Sequence, residues 1–221
     1  DLAGTPSRGA QLSINLDLAG TEFDLDGAMT TRAGAMPEIG GQLSASSEDV
    51  GPLLELLGRV PPAALPTLPV RLEGNAHVGS GGIGITKLSG AFAGQSISGE
   101  ISARNGVLDG NLAVPHLSLP AVFMMAFGPR ALDHEMSPDS TAATPWPDGP
   151  LAAGPLVGLV GNVRLTTQDF TLLPGVSLRK SKLALVLGAY DLALEGVAGE
   201  LAGGRFSGDL HIQRAGGAAV E

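Results

Sequence analysis

The sequence predicts a mainly β protein in which antiparallel β-meander repeats form a curved or groove-like sheet, accompanied by two short helices. Three observations predict it. Apolar and polar residues alternate with period two over most of the chain, the pattern of strands with one covered and one solvated face. The 33 glycines and the 4% aromatic content require a core of Leu, Val, Ile and Ala interrupted by many turns. A hairpin-sized motif also recurs, because LAGGRFSGDLHI at 201–212 is echoed by FAGQSISGEISA at 92–103, 109 residues earlier.

The first hairpin sets Leu12, Ile14, Leu16 and Leu18 against Met29, Gly27, Leu25 and Phe23 around Gly20-Thr21. Its other face carries Asn15, Asp17, Asp24 and Asp26, with Asp17 opposite Asp24. The stretch SSEDVGPLLELLGRVPP then offers a Ser cap, early acids, apolar residues at helical spacing and a terminal Gly58, which predicts a short helix over 48–57. The Pro-rich linker PPAALPTLP follows.

In the second hairpin, a Gly94-Gln95 loop puts Phe92 opposite Ile97, Gly90 opposite Gly99, and Leu88 opposite Ile101. Ile83 and Ile85 have the opposite parity, so a β-bulge is expected at Thr86-Lys87. The segment SLPAVFMMAFGP predicts the second helix, stopped by Gly128 and Pro129, and residues 132–150 read as a mobile Pro-rich linker. Both helices are expected to act as lids or plugs over the apolar face.

In the third repeat, Leu183, Leu185 and Leu187 pair with Leu194, Leu192 and Tyr190 around Gly188-Ala189. A second bulge falls at Glu195-Gly196, and a Gly203-Gly204 loop sets Leu201 opposite Phe206, Gly199 opposite Gly208, and Val197 opposite Leu210. Residues 1–221 thus read as one β-rich region with repeat-like units at 12–69, 70–154 and 155–213.

The balance of 13 basic against 22 acidic residues, net charge -9, repels phosphate backbones and argues against nucleic acid or an anionic membrane surface as the partner. The absence of cysteine excludes disulfides, thiol nucleophiles and thiolate metal sites. No uninterrupted apolar stretch reaches the roughly 18 residues of a membrane-spanning helix. Because the chain begins on Asp1 without an initiator Met, a longer parent with an upstream targeting or membrane segment is the expectation.

Catalytic chemistry finds little support. GSGGIG at 79–84 has the letters of a dinucleotide-binding loop, but ITKLSGAF continues it as a strand where the phosphate site needs a helix N-terminus. Asp133, His134 and Glu135 are consecutive in a linker and share no face, while His77, His116 and His211 are scattered, with no G-x-S-x-G setting. Asp17 and Asp24 suggest at most weak calcium binding on an acidic solvated face. The expectation is a non-enzyme with no catalytic residue, metal or cofactor.

The apolar faces carry the candidate site: Leu12, Ile14, Leu16, Leu18, Phe23, Leu25, Leu88, Phe92, Ile97, Ile101, Val197, Leu201, Phe206 and Leu210. Such faces are either ordinary core or, in part, a groove for an apolar ligand. Gly90, Gly99, Gly199, Gly203, Gly204 and Gly208 are read as structural glycines. The pairs Gly90 with Gly99 and Gly199 with Gly208 would leave a notch on the face, which Gly208→Phe would fill.

The ending KLALVLGAYDLALEGVAGELAGGRFSGDLHI resembles the C-terminal repeat of the AsmA-like family of bacterial envelope proteins. Gly199, Leu201, Gly203, Gly204, Phe206, Gly208 and Leu210 occupy the repeat's positions, with Phe206 at a usual Leu. Upstream, HLSLPAVFMMAFGP, WPDGPL and VRLTTQDFTLLPGVSL are similar to the family's helix, Trp-Asp-Pro-Leu motif and last meander, through Trp146, Asp148, Pro150 and Leu151. The likeness covers most of residues 70–214, and Pro147 and Gly149 depart from the motif. It implies a β-rich periplasmic body, anchored in the inner membrane by an upstream helix, that carries phospholipid and supports outer-membrane integrity. Phospholipid or another apolar ligand, and other envelope proteins, are the implied partners. The rival readings are a scaffolding module with fully buried apolar faces, and a glycan- or calcium-binding β module.

Overall fold

The structure, a computed structural model, describes residues 2–5, 9–31, 34, 36–58, 67–127, 156, 159–188, 191–213 and 219–220. It is mainly β, an antiparallel meander that does not close on itself, with two short helices. The chain divides into two compact units. The first comprises Asp1–Leu53 and Thr67–Val114, the second Leu54–Pro66 and Pro115–Glu221. The 132–150 linker, the Asp133-His134-Glu135 cluster and the Trp146 motif lie outside the described residues.

In the first unit, strands β1 (Leu2–Thr5), β2 (Gly9–Leu18), β3 (Thr21–Thr30), β4 (Glu38–Ser47), β5 (Val70–Gly79), β6 (Gly82–Phe92), β7 (Gln95–Arg104) and β8 (Val107–Ser118), the last as far as Val114, pair antiparallel in chain order. Residues 79–84 are a glycine-rich hairpin connection, since β5 ends and β6 begins there with Gly79 paired to Gly82.

Helix α1 (Gly51–Leu56) links β4 to β5 and is shorter than the expected 48–57. Asp49, rather than a serine, caps it: its Oδ1 accepts from the Gly51 N–H at 2.9 Å and the Leu68 N–H at 3.1 Å. The same carboxylate therefore ties the helix start to the chain entering β5. Val50 and Leu53 are buried there.

In the second unit, α2 (Leu119–Phe127) begins at Ser118, whose Oγ accepts from the Ala121 N–H at 3.2 Å, and packs against β9. Strands β9 (Val160–Leu173), β10 (Val176–Leu187), β11 (Asp191–Leu201), β12 (Gly204–Gln213) and β13 (Ala219–Val220) follow as a second meander.

The three hairpins exist, but each turn sits one residue earlier than expected. The loops are Ala19-Gly20, Ala93-Gly94 and Ala202-Gly203, closed by Leu18↔Thr21, Phe92↔Gln95 and Leu201↔Gly204. Both residues of each loop have positive φ, from 49° to 85°, which is the type I′ turn that matches strand twist. Placing the glycine second and accepting a strained alanine first fixes this register. Gly204 is thus the first residue of β12 and not part of the turn.

Every cross-strand partner consequently moves by two residues, while face membership is kept. Phe206 opposes Gly199 and Gly208 opposes Val197, while Gly90 opposes Ile97 and Gly99 opposes Leu88, so the expected glycine pairs do not face each other. Asp17 lies opposite Glu22, and Asp24 opposite Asn15. The β10–β11 partners also differ from the expected ones by two residues, in the other direction: Leu185 pairs with Leu194 and Leu187 with Leu192, and the Gly188 N–H donates to the Asp191 carbonyl oxygen at 2.9 Å. The bulges fall where parity flips, between Ile85 and Leu88 at Lys87 (φ 51°) and between Leu194 and Val197 at Gly196 (φ 58°).

Candidate functional site

Paired residues share a face of a sheet, so the registers of the first unit trace one apolar surface from strand to strand. Leu16 lies beside Phe23, Phe23 beside Ala45, Ala45 beside Leu72, and Leu72 beside Gly90, which lies beside Ile97. A parallel row runs Ile14, Leu25, Leu43 and Gly74, and beyond the bulge Leu88, Gly99 and Leu112 continue the face. The reverse side repeats Asp17, Glu22, Ser46, Arg71 in one row and Asn15, Asp24, Ser44, Glu73 in the next.

Ten of the fourteen candidate residues, Leu12, Ile14, Leu16, Leu18, Phe23, Leu25, Leu88, Phe92, Ile97 and Ile101, thus lie on the first unit's face. Val197, Leu201, Phe206 and Leu210 belong to the second unit. The β4 and β5 contributors, notably Ile39, Leu43, Leu72 and Val78, escaped the hairpin search. Their signal was the period-two alternation in EIGGQLSA and VRLEGNAHV, which flanks a helix and so lacks a hairpin turn.

The two units differ in how their faces are covered. In the first, Ile14, Leu16 and Ile83 remain 41%, 48% and 55% exposed, although Leu88 and Val70 are buried. In the second, Val163, Leu165, Phe170, Leu178, Leu183, Leu185, Leu187, Leu192, Leu194, Val197 and Ile212 are all buried, which makes a more extensive core. Apolar exposure persists in the second unit as well, with Val160 and Leu173 exposed and Leu201, Phe206 and Leu210 half-buried, so the two units differ in how much of the face is covered.

The glycines do not leave notches. At Gly90 (φ 149°) and Gly99 (φ 140°) a Cβ would run into the carbonyl oxygens of Arg71 and Asn111 on the neighbouring strands, so these residues are glycine for backbone reasons. At Gly199 a Cβ would lie 2.6 Å from Ser181 Oγ and 3.1 Å from Leu178 Cβ. At Gly208 it would lie 3.5 Å from Phe206 Cζ. Gly199 is therefore crowded by its neighbours, whereas at Gly208 a Cβ would make ordinary contact with the Phe206 ring.

A polar cleft of about 460 Å³ opens at one end of the first unit, lined by Asp17, Gly20, Glu22, Ser46, Ser47, Glu48, Val70 and Arg71. Asp17 Oδ1 accepts from the Gly20 N–H at 3.2 Å, and Asn15 Nδ2 donates to Asp24 Oδ1 at 2.5 Å, so the acids satisfy local turn and cross-strand bonds. Among the described residues no group of three or more His, Cys, Asp or Glu is placed to hold a metal ion. His77, His116 and His211 are each exposed on separate strands. The chain matches no protein-family model, no curated protein and no solved structure.

Proposed function

We propose that this chain is a non-enzymatic, lipid-carrying β-sheet segment of a bacterial envelope protein of the AsmA-like kind, working in the periplasm and tethered to the inner membrane through a longer parent chain. The observation that carries this reading is the one-sided face of the first unit, whose Ile14, Leu16 and Ile83 stay open to solvent while Leu88 beneath the same face is buried. The mechanism is passive. Acyl chains lie against the Leu, Ile and Phe side chains at about 0.8 kcal/mol per fully buried CH₂, so ten methylenes half covered would contribute about 4 kcal/mol. The head group stays in water at the rim of that face.

Mass spectrometry of natively purified protein tests the reading. Phospholipid at near-stoichiometric amounts is expected, and a lipid-free protein that also takes up none from added vesicles refutes it. A scaffolding role is favoured for the second unit alone by its more extensive core, Leu194 being 2% and Phe170 0% exposed.

A further inference from the structure

We infer that the tip of the β9–β10 hairpin in the second unit is a membrane-docking finger that inserts into the surface of an anionic lipid bilayer. This proposal does not depend on lipid carriage by the first unit. The turn is Pro174-Gly175, closed by Leu173↔Val176, and a proline followed by glycine at φ 79° is the type II arrangement. Leu172 is the extra residue of a bulge, since Val176 pairs with Leu173 but Ser177 with Thr171. The tip therefore reads Leu172-Leu173-Pro174-Gly175-Val176, with no polar side chain where turns ordinarily carry Asn, Asp or Ser. Leu173 is 60% exposed there, whereas the β11–β12 turn presents only Ala202-Gly203. Just behind the tip, the Thr171 and Ser177 hydroxyls bond to each other at 3.1 Å and tie the two strands together.

The occupant follows from reach and charge. Arg179 pairs with Glu200, which is one residue short of the β11 end at Leu201, whereas Arg179 is three residues in from the β10 start at Val176. The finger thus extends about 7 Å past the β11–β12 turn and stands about 10 Å ahead of the Arg179 row. That row runs Asp169, Arg179, Glu200, Arg205 across the solvated face, with Lys180 Nζ 3.3 Å from Glu200 Oε1. The next row, Thr166, Lys182, Ala198, Ser207, adds a fourth cation and no acid. Interfacial segments bury their apolar side about 5 to 10 Å into the boundary between head groups and acyl chains, which sets Leu173 among acyl carbons with Arg179 and Arg205 at the phosphates. One projecting leucine offers little area to a protein partner, whose stable interfaces need about 800 Å² per side, but a bilayer needs no matching pocket. The chain's net charge of -9 opposes this approach only weakly, because exposed charges are screened beyond about 10 Å at about 0.1 M salt.

Because the chain has no cysteine, Leu173→Cys carries a single environment-sensitive fluorophore. With vesicles of phosphatidylcholine containing about 30% phosphatidylglycerol, its emission is expected to shift to the blue and to be quenched by spin-labelled lipid. The same label on Ala19→Cys, in a first-unit turn beside Asp17 and Glu22, should keep its emission in water. A label on Leu16→Cys reports lipid uptake by the first unit separately, so failure of docking and failure of carriage are told apart. In vesicle co-sedimentation Leu173→Ser should weaken binding about tenfold, and Arg179→Gln combined with Arg205→Gln about twentyfold. Binding should also fall steeply on neutral phosphatidylcholine vesicles and in about 0.5 M salt. An unshifted label at Leu173, equal binding by Leu173→Ser and the unmodified chain, or equal binding to neutral and anionic vesicles would overturn the proposal.

Discussion

Truncating two leucines on one face of one sheet measures whether that face is open. Leu16 is 48% exposed and Leu88 is 7% exposed, and both lie on the first unit's apolar surface. Leu→Ala removes roughly three carbon groups, worth about 2.4 kcal/mol when fully buried at about 0.8 kcal/mol each. At Leu16 about half of that contact is with water already and no sealed cavity forms, so Leu16→Ala should cost about 1 kcal/mol. At Leu88 nearly the full transfer term applies and a cavity is added, so Leu88→Ala should cost about 3 kcal/mol or more. Urea unfolding followed by circular dichroism reads the difference, and hydrogen exchange of β2 and β6 amides assigns it to the first unit. With m near 2 kcal/mol per molar, the midpoints should fall by about 0.5 M and about 1.5 M. Equal losses at the two sites would mean that Leu16 is covered, and the open-face basis for lipid carriage would fail.

Gly99→Ala is expected to destabilise by about 1 to 3 kcal/mol, because φ is 140° and the new Cβ meets the Asn111 carbonyl oxygen; Gly94→Asn, in a turn that tolerates left-handed backbone, should be close to neutral in the same urea titration. Asp49→Ala removes the acceptor shared by the Gly51 and Leu68 amides and should cost about 1 to 2 kcal/mol, with faster hydrogen exchange at Gly51, Leu53 and Leu68 as the local signature. Lys180→Gln breaks the 3.3 Å ion pair with Glu200, whose side chains are 70% and 52% exposed, and should shift stability by less than about 0.5 kcal/mol in a denaturation curve.

The sequence disclosed which residues share a face more reliably than which residues touch. Alternation fixes face membership, and moving a turn by one residue changes each partner by two, which preserves parity. The same faces therefore survive with Ala93-Gly94 in the turn instead of Gly94-Gln95, while the pairings of Gly90 and Gly99 do not. The deciding detail was the positive φ that a type I′ turn demands at its first position, which alanine adopts at Ala19, Ala93 and Ala202. The bulges were legible because Ile85 to Leu88 and Leu194 to Val197 break the parity that their strands otherwise keep. The cap that Asp49 gives Gly51 is local, but its second bond, to the Leu68 N–H 19 residues away, leaves no mark in local spacing.

Glycines on the apolar surfaces act as seats for their neighbours. Ile85 Cγ2 lies 2.7 Å from where a Gly74 Cβ would be, Ser181 and Leu178 crowd Gly199, and the Phe206 ring lies over Gly208. Each small residue lets a large one fold down and close the surface locally, which is why a gap in side-chain size does not become a gap in packing. Openness has a different origin. Along β2 the facing pairs are large against large, Leu16 with Phe23 and Ile14 with Leu25. The exposure of Ile14 and Leu16 goes with that run of large side chains, which leaves no small residue for either to fold down onto.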